Sequence, residues 1–196
     1  MKAHLFPEMM AGLLTHDPGM YPRRLILDEC RNFGVAVLPP DVNRSLGPYT
    51  VEVIDRGQAE HRLGLRRDRL PPGWKRVEDG RRVPPSGFDF SDAGNDYRYA
   101  VRVGLQDLKG ITDAEVASLV DHRPFTSLRD VRERARLSRP TAEHLAMAGA
   151  LDHVAGVGRR GGPAHRRELR LVVEELWKDA ASRPRRDDGP RVEQVA

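Results

Sequence analysis

The clearest pattern of apolar and polar positions lies at Val103–Val120, VGLQDLKGITDAEVASLV. Its start predicts the end of a strand, and Leu108–Thr112 predicts a tight turn that delivers the chain to a helix beginning at Asp113. Thr112 and Glu115 stand three residues apart before an apolar run, the spacing of a capping box at a helix start. The apolar positions that follow recur at i, i+3 and i+4, which predicts one buried helix face: Val116, Leu119 and Val120.

Four short elements are predicted before this stretch. They are two amphipathic helices and two strands: Pro7–Thr15, Pro22–Phe33, Val35–Leu38 and Tyr49–Ile54. Gly34 is placed to terminate the second helix. Between the strands, the loop Asp41–Ser45 is predicted to be ordered, because Asp, Asn and Ser side chains close local backbone hydrogen bonds.

The character of the chain changes between Asp55 and Asp96. This segment carries 17 charged residues of both signs, with scattered Gly and Pro and no sustained period. We therefore expect a flexible insertion that contains at most one loose hairpin. The cluster RLGLRRDRL at 62–70 is interpreted as a solvated charge run in preference to a phosphate contact.

Order is predicted to return after Asp96. A strand leads into the central turn, with one alternating face made by Tyr99, Val101, Val103 and Leu105. Two capped helices follow, Leu128–Arg136 after Ser127 and Thr141–Ala148 after Ser138. The second resembles the first helix-turn-helix unit about thirty residues earlier, so a tandem arrangement is expected. A glycine-rich linker, an apolar helix and a disordered tail complete the predicted chain: 156–162, His165–Ala181 and 182–196.

Charge alone does not decide what the protein binds. The formal net charge is +4, from 33 basic and 29 acidic residues, and 29 of the basic residues are Arg. Arginine suits phosphate contacts, but a GC-rich genome yields the same bias. The single Cys30 excludes an internal disulfide and fits a reducing cytoplasm. No signal peptide or membrane span is visible in the sequence.

The candidate chemistry is binding rather than catalysis. The histidines and Cys30 show no metal-ligand spacing, and no P-loop or paired-carboxylate motif is present, so we assign no catalytic and no metal-binding residue. The central turn is the best candidate, because a Gly-containing turn into a helix N-terminus presents free N–H groups to a phosphate. Its residues are Lys109, Gly110, Ile111 and Thr112. In the second turn, Ser138 would cap a helix and Arg139 would reach a phosphate.

Three quoted segments together resemble a known family. They are the N-terminal segment 2–45 with its LPPDVN motif, then GLQDLKGITDAEVASLVDHRPFTSLRDV, then LSRPTAEHLAMAGALD. In this order they resemble the alpha subunit of bacterial DNA polymerase III, closest to its error-prone type, over residues 2–54 and 98–153. The resemblance covers the rear of the fingers region and the tandem helix-hairpin-helix. The family turn is Gly-hydrophobic-Gly, whereas here Thr112 replaces the second Gly and adds a Cβ where a phosphate approaches.

The resemblance implies a mainly α fold with a few short β strands. Its four parts are a fingers remnant at 1–54, a charged flexible insertion at 55–97, a tandem helix-hairpin-helix at 98–155, and a linker, amphipathic helix and disordered tail at 156–196. It implies sequence-independent binding of duplex or primer-template DNA during replication or error-prone repair synthesis. Asp41 and Asn43 would then face the nucleotide, although a turn-stabilising role is favoured for both.

The same resemblance places the catalytic carboxylates in a palm domain that these residues do not match. We therefore expect this chain to be an internal fragment of a polymerase that is inactive alone and has no cofactor of its own. Mg²⁺ would belong to the palm of the intact enzyme, and a palm-bearing polymerase chain is a candidate partner. The alternative is a non-enzymatic helical module that docks a partner through the apolar helix His165–Ala181. In either case we expect a cytoplasmic protein that does not contact membranes.

Overall fold

The computed structural model describes residues 6–16, 19, 21–64, 70, 72–76, 78, 82–84 and 97–181. Eight α-helices occur in this part of the chain: α1 Phe6–His16, α2 Arg23–Asn32, α3 Arg56–Leu63, α4 Asp113–Asp121, α5 Leu128–Ala135, α6 Arg139–Ala148, α7 Asp152–Ala155 and α8 Arg166–Ala181. A short 3-10 helix, Leu105–Asp107, precedes the turn before α4. The strands are β1 Ala36–Leu38, β2 Thr50–Asp55, β3 Lys75–Arg76, β4 Arg82–Val83 and β5 Tyr97–Arg102. The fold is mainly α with a few short strands, as predicted.

A three-stranded sheet organises the N-terminal half. Its order is β1-β5-β2, with β1 parallel and β2 antiparallel to the central β5. One face packs against α1 and α2 through a cluster that includes Met10, Leu14, Cys30 and Val101. The prediction of a single buried face on β5 was incomplete, because Ala100 is also fully buried in a second cluster on the other face. As the middle strand, β5 is covered on both sides.

That second cluster contains an element that the sequence interpretation missed. Helix α3 lies inside the segment interpreted as a flexible insertion, and it buries Ala59 and Leu63 against the sheet. The Asp55 carboxylate accepts a hydrogen bond from the Gln58 amide at its start, and Gly64 adopts a left-handed conformation at its end. With only two buried apolar positions in eight residues, the charges hid the helical period. Among the described residues of this segment, β3 and β4 also pair antiparallel, over two residues each.

The C-terminal half is one helical unit built from α4, α5, α6, α7 and α8. The predicted boundary near residue 156 does not separate two cores, because α8 packs against α6 and α5. Leu169 and Val173 are fully buried there, and Trp177 donates its indole N–H to the Leu137 carbonyl at 3.1 Å. The apolar face that would have docked a partner is therefore used inside the chain. The predicted tail 182–196 lies outside the described residues.

The loop 41–45 joins the sheet to the helical unit. Asp41 accepts a hydrogen bond from the Asn43 amide at 2.8 Å, as expected for a turn. The Asn43 side chain then bonds both backbone groups of Phe125, donating to its carbonyl at 2.8 Å and accepting from its amide at 2.7 Å. Arg123 donates to the Val42 carbonyl at 2.7 Å, and its guanidinium also reaches the Ser45 carbonyl. The loop is thus tied to the segment between α4 and α5.

Candidate nucleic-acid interface

The turn before α4 has the predicted geometry. Ile111 donates its amide to the Leu108 carbonyl at 3.3 Å, and Ile111 packs against the core of the helical unit. Gly110 has φ +82°, a left-handed conformation that side chains with a Cβ rarely adopt. A Cβ built there would meet nothing within 4 Å, so the backbone angle, and not crowding, is what requires glycine in the free protein.

The turn leaves four backbone amides available on the surface. No described residue accepts a hydrogen bond from the N–H groups of Lys109, Gly110, Asp113 or Ala114. All four residues are exposed. Lys109 adds a positive charge beside these amides, and the N-terminal end of the α4 dipole also favours an anion. This arrangement is suited to a phosphate group.

The capping box of α4 is complete. The Thr112 side chain accepts from the Glu115 amide at 3.2 Å, and the Glu115 carboxylate accepts from the Thr112 amide at 3.0 Å. The same carboxylate reaches the second predicted turn. It accepts a hydrogen bond from the Ser138 amide at 2.8 Å and another from the Thr141 hydroxyl at 3.1 Å. Glu115 therefore connects the starts of α4 and α6.

These hydrogen bonds govern the ionisation of Glu115. Its partial burial acts to raise the pKa, but hydrogen bonds from the Ser138 and Thr112 amides and from the Ser138 and Thr141 hydroxyls outweigh it, and the pKa falls to about 2. Glu115 is thus a carboxylate at neutral pH. It occupies the anion position at the N-terminus of α6 that a phosphate would otherwise take.

The second predicted turn is consequently already engaged within the protein. Ser138 caps α6 as predicted, accepting weakly from the Thr141 amide at 3.4 Å. The Arg139 guanidinium donates to Glu143 and to Glu174, each at 2.8 Å. Hydrogen bonding to Glu143 is the main reason that the pKa of Arg139 is raised. A phosphate at Arg139 would have to compete with two carboxylates, whereas one at Lys109 would not displace an ion pair among the described residues.

The side chains of Asp41 and Asn43 form hydrogen bonds with residues outside the Lys109 turn. Both side chains are occupied by the loop contacts described above, which is the turn-stabilising role favoured from the sequence. Asp41 also lines a cleft beside the sheet, together with Arg62 and Arg159. Sequence reasoning missed this cleft. Arg62 belongs to a charge run that was interpreted as solvated, and the run's later residues 65–69 lie outside the described part of the chain.

No metal site is formed by the described residues, since none of their His, Cys, Asp and Glu side chains come together in groups of three or more suited to a metal ion. Within the same residues, no helix has the length and apolar character to cross a bilayer.

The fold and the capped turn indicate a helix-hairpin-helix protein, and comparison with known families agrees. The family described as the helix-hairpin-helix motif matches residues 34–161, and the chain belongs to it. The match extends beyond the helical unit to include the sheet and α3.

The more specific likeness is to error-prone DNA polymerases of bacteria. The chain is 33% identical to the error-prone DNA polymerase of Cutibacterium acnes over 170 residues, covering 82% of the chain and 15% of that protein. It is 32% identical to that of Nocardia farcinica over 165 residues, covering 82% of the chain and 11% of that protein. The enzyme of Corynebacterium efficiens is 29% identical over 160 residues, covering 81% and 11% respectively. The chain thus spans a small share of the length of the curated relatives that it matches.

Proposed function

We propose that this chain binds the backbone of primer-template DNA, without reading its sequence, as a part of error-prone polymerase synthesis during DNA replication or repair. The observation that carries this proposal is the group of four available amides beside Lys109, in a turn that lies within the residues matched by the helix-hairpin-helix family. The similarity to error-prone DNA polymerases supports the polymerase context.

The principal contact in this proposal is the first hairpin, which is the turn Leu108–Thr112 together with the start of α4. One phosphate would be held by the amides of the turn and the charge of Lys109. Thr112 has its side chain committed to the capping box, so its contribution would come from holding α4 in place. Contact at Ser138 and Arg139 stays a prediction, and Arg139 would have to exchange a carboxylate for a phosphate. The nucleotide-facing role of Asp41 and Asn43 also stays a prediction.

The experiment is a titration of the full chain with fluorescein-labelled duplex DNA at several salt concentrations. About 2–4 neutralised phosphates, at a slope of about 0.9 each, give a shallow salt dependence. Lys109→Ala should weaken binding and reduce the slope by about one phosphate contact. Lys75→Ala is the matched control, because Lys75 is an exposed lysine on β3. Equal affinities for the two variants would contradict the hairpin contact.

A palm-bearing polymerase chain is proposed as the protein partner. Large apolar side chains are exposed to solvent on α1, on α2 and in the connection between them, namely Met9 at 53%, Leu25 at 55% and Tyr21 at 60%. Several large apolar side chains exposed on two helices in contact are expected at an interaction surface. Mixing the chain with the palm-bearing segment of an error-prone DNA polymerase should give a complex by size-exclusion chromatography. Leu25→Glu should weaken that complex, and a complex unaffected by Leu25→Glu would contradict this surface.

A further inference from the structure

A positively charged cleft lies between the sheet and the helical unit, away from the Lys109 turn. Its volume is about 380 Å³, within the range of small-molecule and nucleotide sites. One side is formed by the end of β1 and by α3. The other side is formed by α7 and the loop that follows it.

Arginine dominates the lining of this cleft. Five arginines line it, Arg44, Arg62, Arg102, Arg159 and Arg166, with two aspartates, Asp41 and Asp152. Because Glu52 also pairs with Arg44 and Arg102, an excess of two positive charges remains. An excess of one sign inside a concave, partly desolvated surface raises the local concentration of the opposite ion. The cleft is therefore suited to an anion.

Three of these arginines are fixed by carboxylates of the protein. Arg102 is buried, pairs with Glu52 and donates to the Pro39 carbonyl at 2.8 Å. Arg44 donates to Glu52 at 2.7 Å. Arg166 holds Asp152 through both Nε and Nη2, at 2.9 and 2.8 Å to the same oxygen. These three arginines line the cleft with positive charges that are already paired with carboxylates of the protein.

The other two arginines remain available. Neither Arg62 nor Arg159 forms an ion pair with a described residue, and both are exposed. Arg62 belongs to α3 and Arg159 to the loop after α7, so they approach the cleft from its two sides. A phosphate between them would receive charge from both without displacing a carboxylate of the protein.

The remaining lining suits a nucleobase. Leu38 and Pro39 on one side and Val157 on the other are apolar, and the imidazoles of His61 and His153 provide flat surfaces. Planar side chains, including His and the Arg guanidinium, are the platforms on which unstacked bases lie. Phosphate and base features therefore occur in one cavity.

We propose that this cleft binds one unstacked nucleotide, with Arg62 and Arg159 on its phosphate and the apolar residues of the two sides around its base. The site goes beyond the duplex contact proposed for the hairpin, since it takes a nucleotide that is not in a helix. The same chemistry is offered by a nucleotide within single-stranded DNA and by a free nucleoside triphosphate.

The test uses the full chain and a fluorescein-labelled oligothymidine of about 12 nucleotides, followed by anisotropy at low salt. The double variant Arg62→Ala with Arg159→Ala should weaken binding about tenfold. Arg160→Ala is the matched control, because Arg160 is exposed next to Arg159 but does not line the cleft. Its affinity should stay within about twofold of the wild type. Circular dichroism and urea unfolding confirm that each variant is folded.

Competition identifies the source of the nucleotide. Displacement of the labelled strand by dATP at the same nucleotide concentration assigns the site to free triphosphates. Displacement only by unlabelled oligothymidine assigns it to single-stranded DNA. The proposal is overturned if the wild type binds neither ligand, or if the double variant binds as tightly as the wild type. It is also overturned if Arg160→Ala loses as much affinity as the double variant.

The two proposed sites can fail separately. Lys109→Ala should weaken duplex binding and spare the oligothymidine, whereas the double arginine variant should do the opposite. Loss of single-strand binding in Lys109→Ala alone would overturn the cleft and leave the hairpin contact standing. Duplex binding that Lys109→Ala does not change would overturn the hairpin contact and leave the cleft standing.

Discussion

Glu115 is the residue on which the two turns of the helical unit depend. Its carboxylate bonds the Thr112 amide within its own capping box and the Ser138 amide 23 residues later. Hydrogen bonds from backbone amides to a charged carboxylate are stronger than those to a neutral acceptor. The same bonds hold the pKa of Glu115 at about 2.

Replacing Glu115 with Gln should lower the free energy of unfolding at pH 7 by about 1–2 kcal/mol, a value reduced for its partial solvent exposure. The pKa in the folded state lies below the ordinary value of 4.5. The stabilisation is therefore complete above that value and is lost as the pH falls toward about 2. Urea unfolding at several pH values measures it. Glu133→Gln, at an exposed position on α5, is the control, and equal unfolding free energies for both variants at pH 7 would refute the role of Glu115.

Gly110 can be tested with two substitutions. Gly110→Val should abolish duplex binding while the helices still form, because its side chain blocks the close approach of the backbone to a phosphate. Because φ is +82°, any residue with a Cβ also carries a backbone cost of about 1–2 kcal/mol. Gly110→Ala has that cost with little added bulk, whereas the β-branched Val variant should be the less stable of the two. Among folded molecules, Val should also weaken duplex binding more than Ala. Equal duplex affinities for the Ala and Val variants would remove close backbone approach from the mechanism.

Helix α8 offers a neighbouring pair of valines for testing its place in the core. Val173 is fully buried, whereas Val172 is 40% exposed. Val173→Ala should lower the free energy of unfolding by about 1.5–2.5 kcal/mol, from lost burial and the cavity left behind. Val172→Ala should change it by less than about 0.5 kcal/mol. Chemical denaturation of both variants measures the difference, and similar effects would indicate that α8 is not packed as described.

Local signals were sufficient to predict most of the helical unit from the sequence. Thr112, Ser127 and Ser138 each cap the helix that they were predicted to cap, because each bonds an amide only three residues away. Gly34, which was predicted to terminate the second helix, has a left-handed φ of +78° just after α2. Such signals lie within one turn of chain and require no knowledge of the tertiary fold.

What the sequence could not predict depends on contacts between distant residues. The engagement of Arg139 by Glu174 joins positions 35 residues apart. The bond from Ser138 to Glu115 joins residues 23 positions apart, with the whole of α5 between them. The cleft requires α3 and the loop after α7 to meet, and α3 itself was hidden among charges of both signs. The family resemblance supplied the polymerase context, which composition and spacing did not.

The joint between the sheet and the helical unit depends on Asn43. Its side chain makes two hydrogen bonds to the backbone of Phe125, and Asn43→Ala would leave both backbone groups without them. We expect a loss of about 1–3 kcal/mol in unfolding free energy. Asn32→Ala is the control, since Asn32 is exposed at the end of α2. A loss no greater than that of Asn32→Ala, measured by urea unfolding, would show that this joint does not stabilise the protein.

The central claim is that DNA contacts the free amides of the first hairpin. It is tested most directly by adding a short duplex to ¹⁵N-labelled protein and recording the amide resonances by NMR. The account predicts that the largest shifts or broadening occur at Lys109, Gly110, Asp113 and Ala114, and that added salt reverses them. Unchanged resonances at these four positions, while amides elsewhere respond to the duplex, would contradict it.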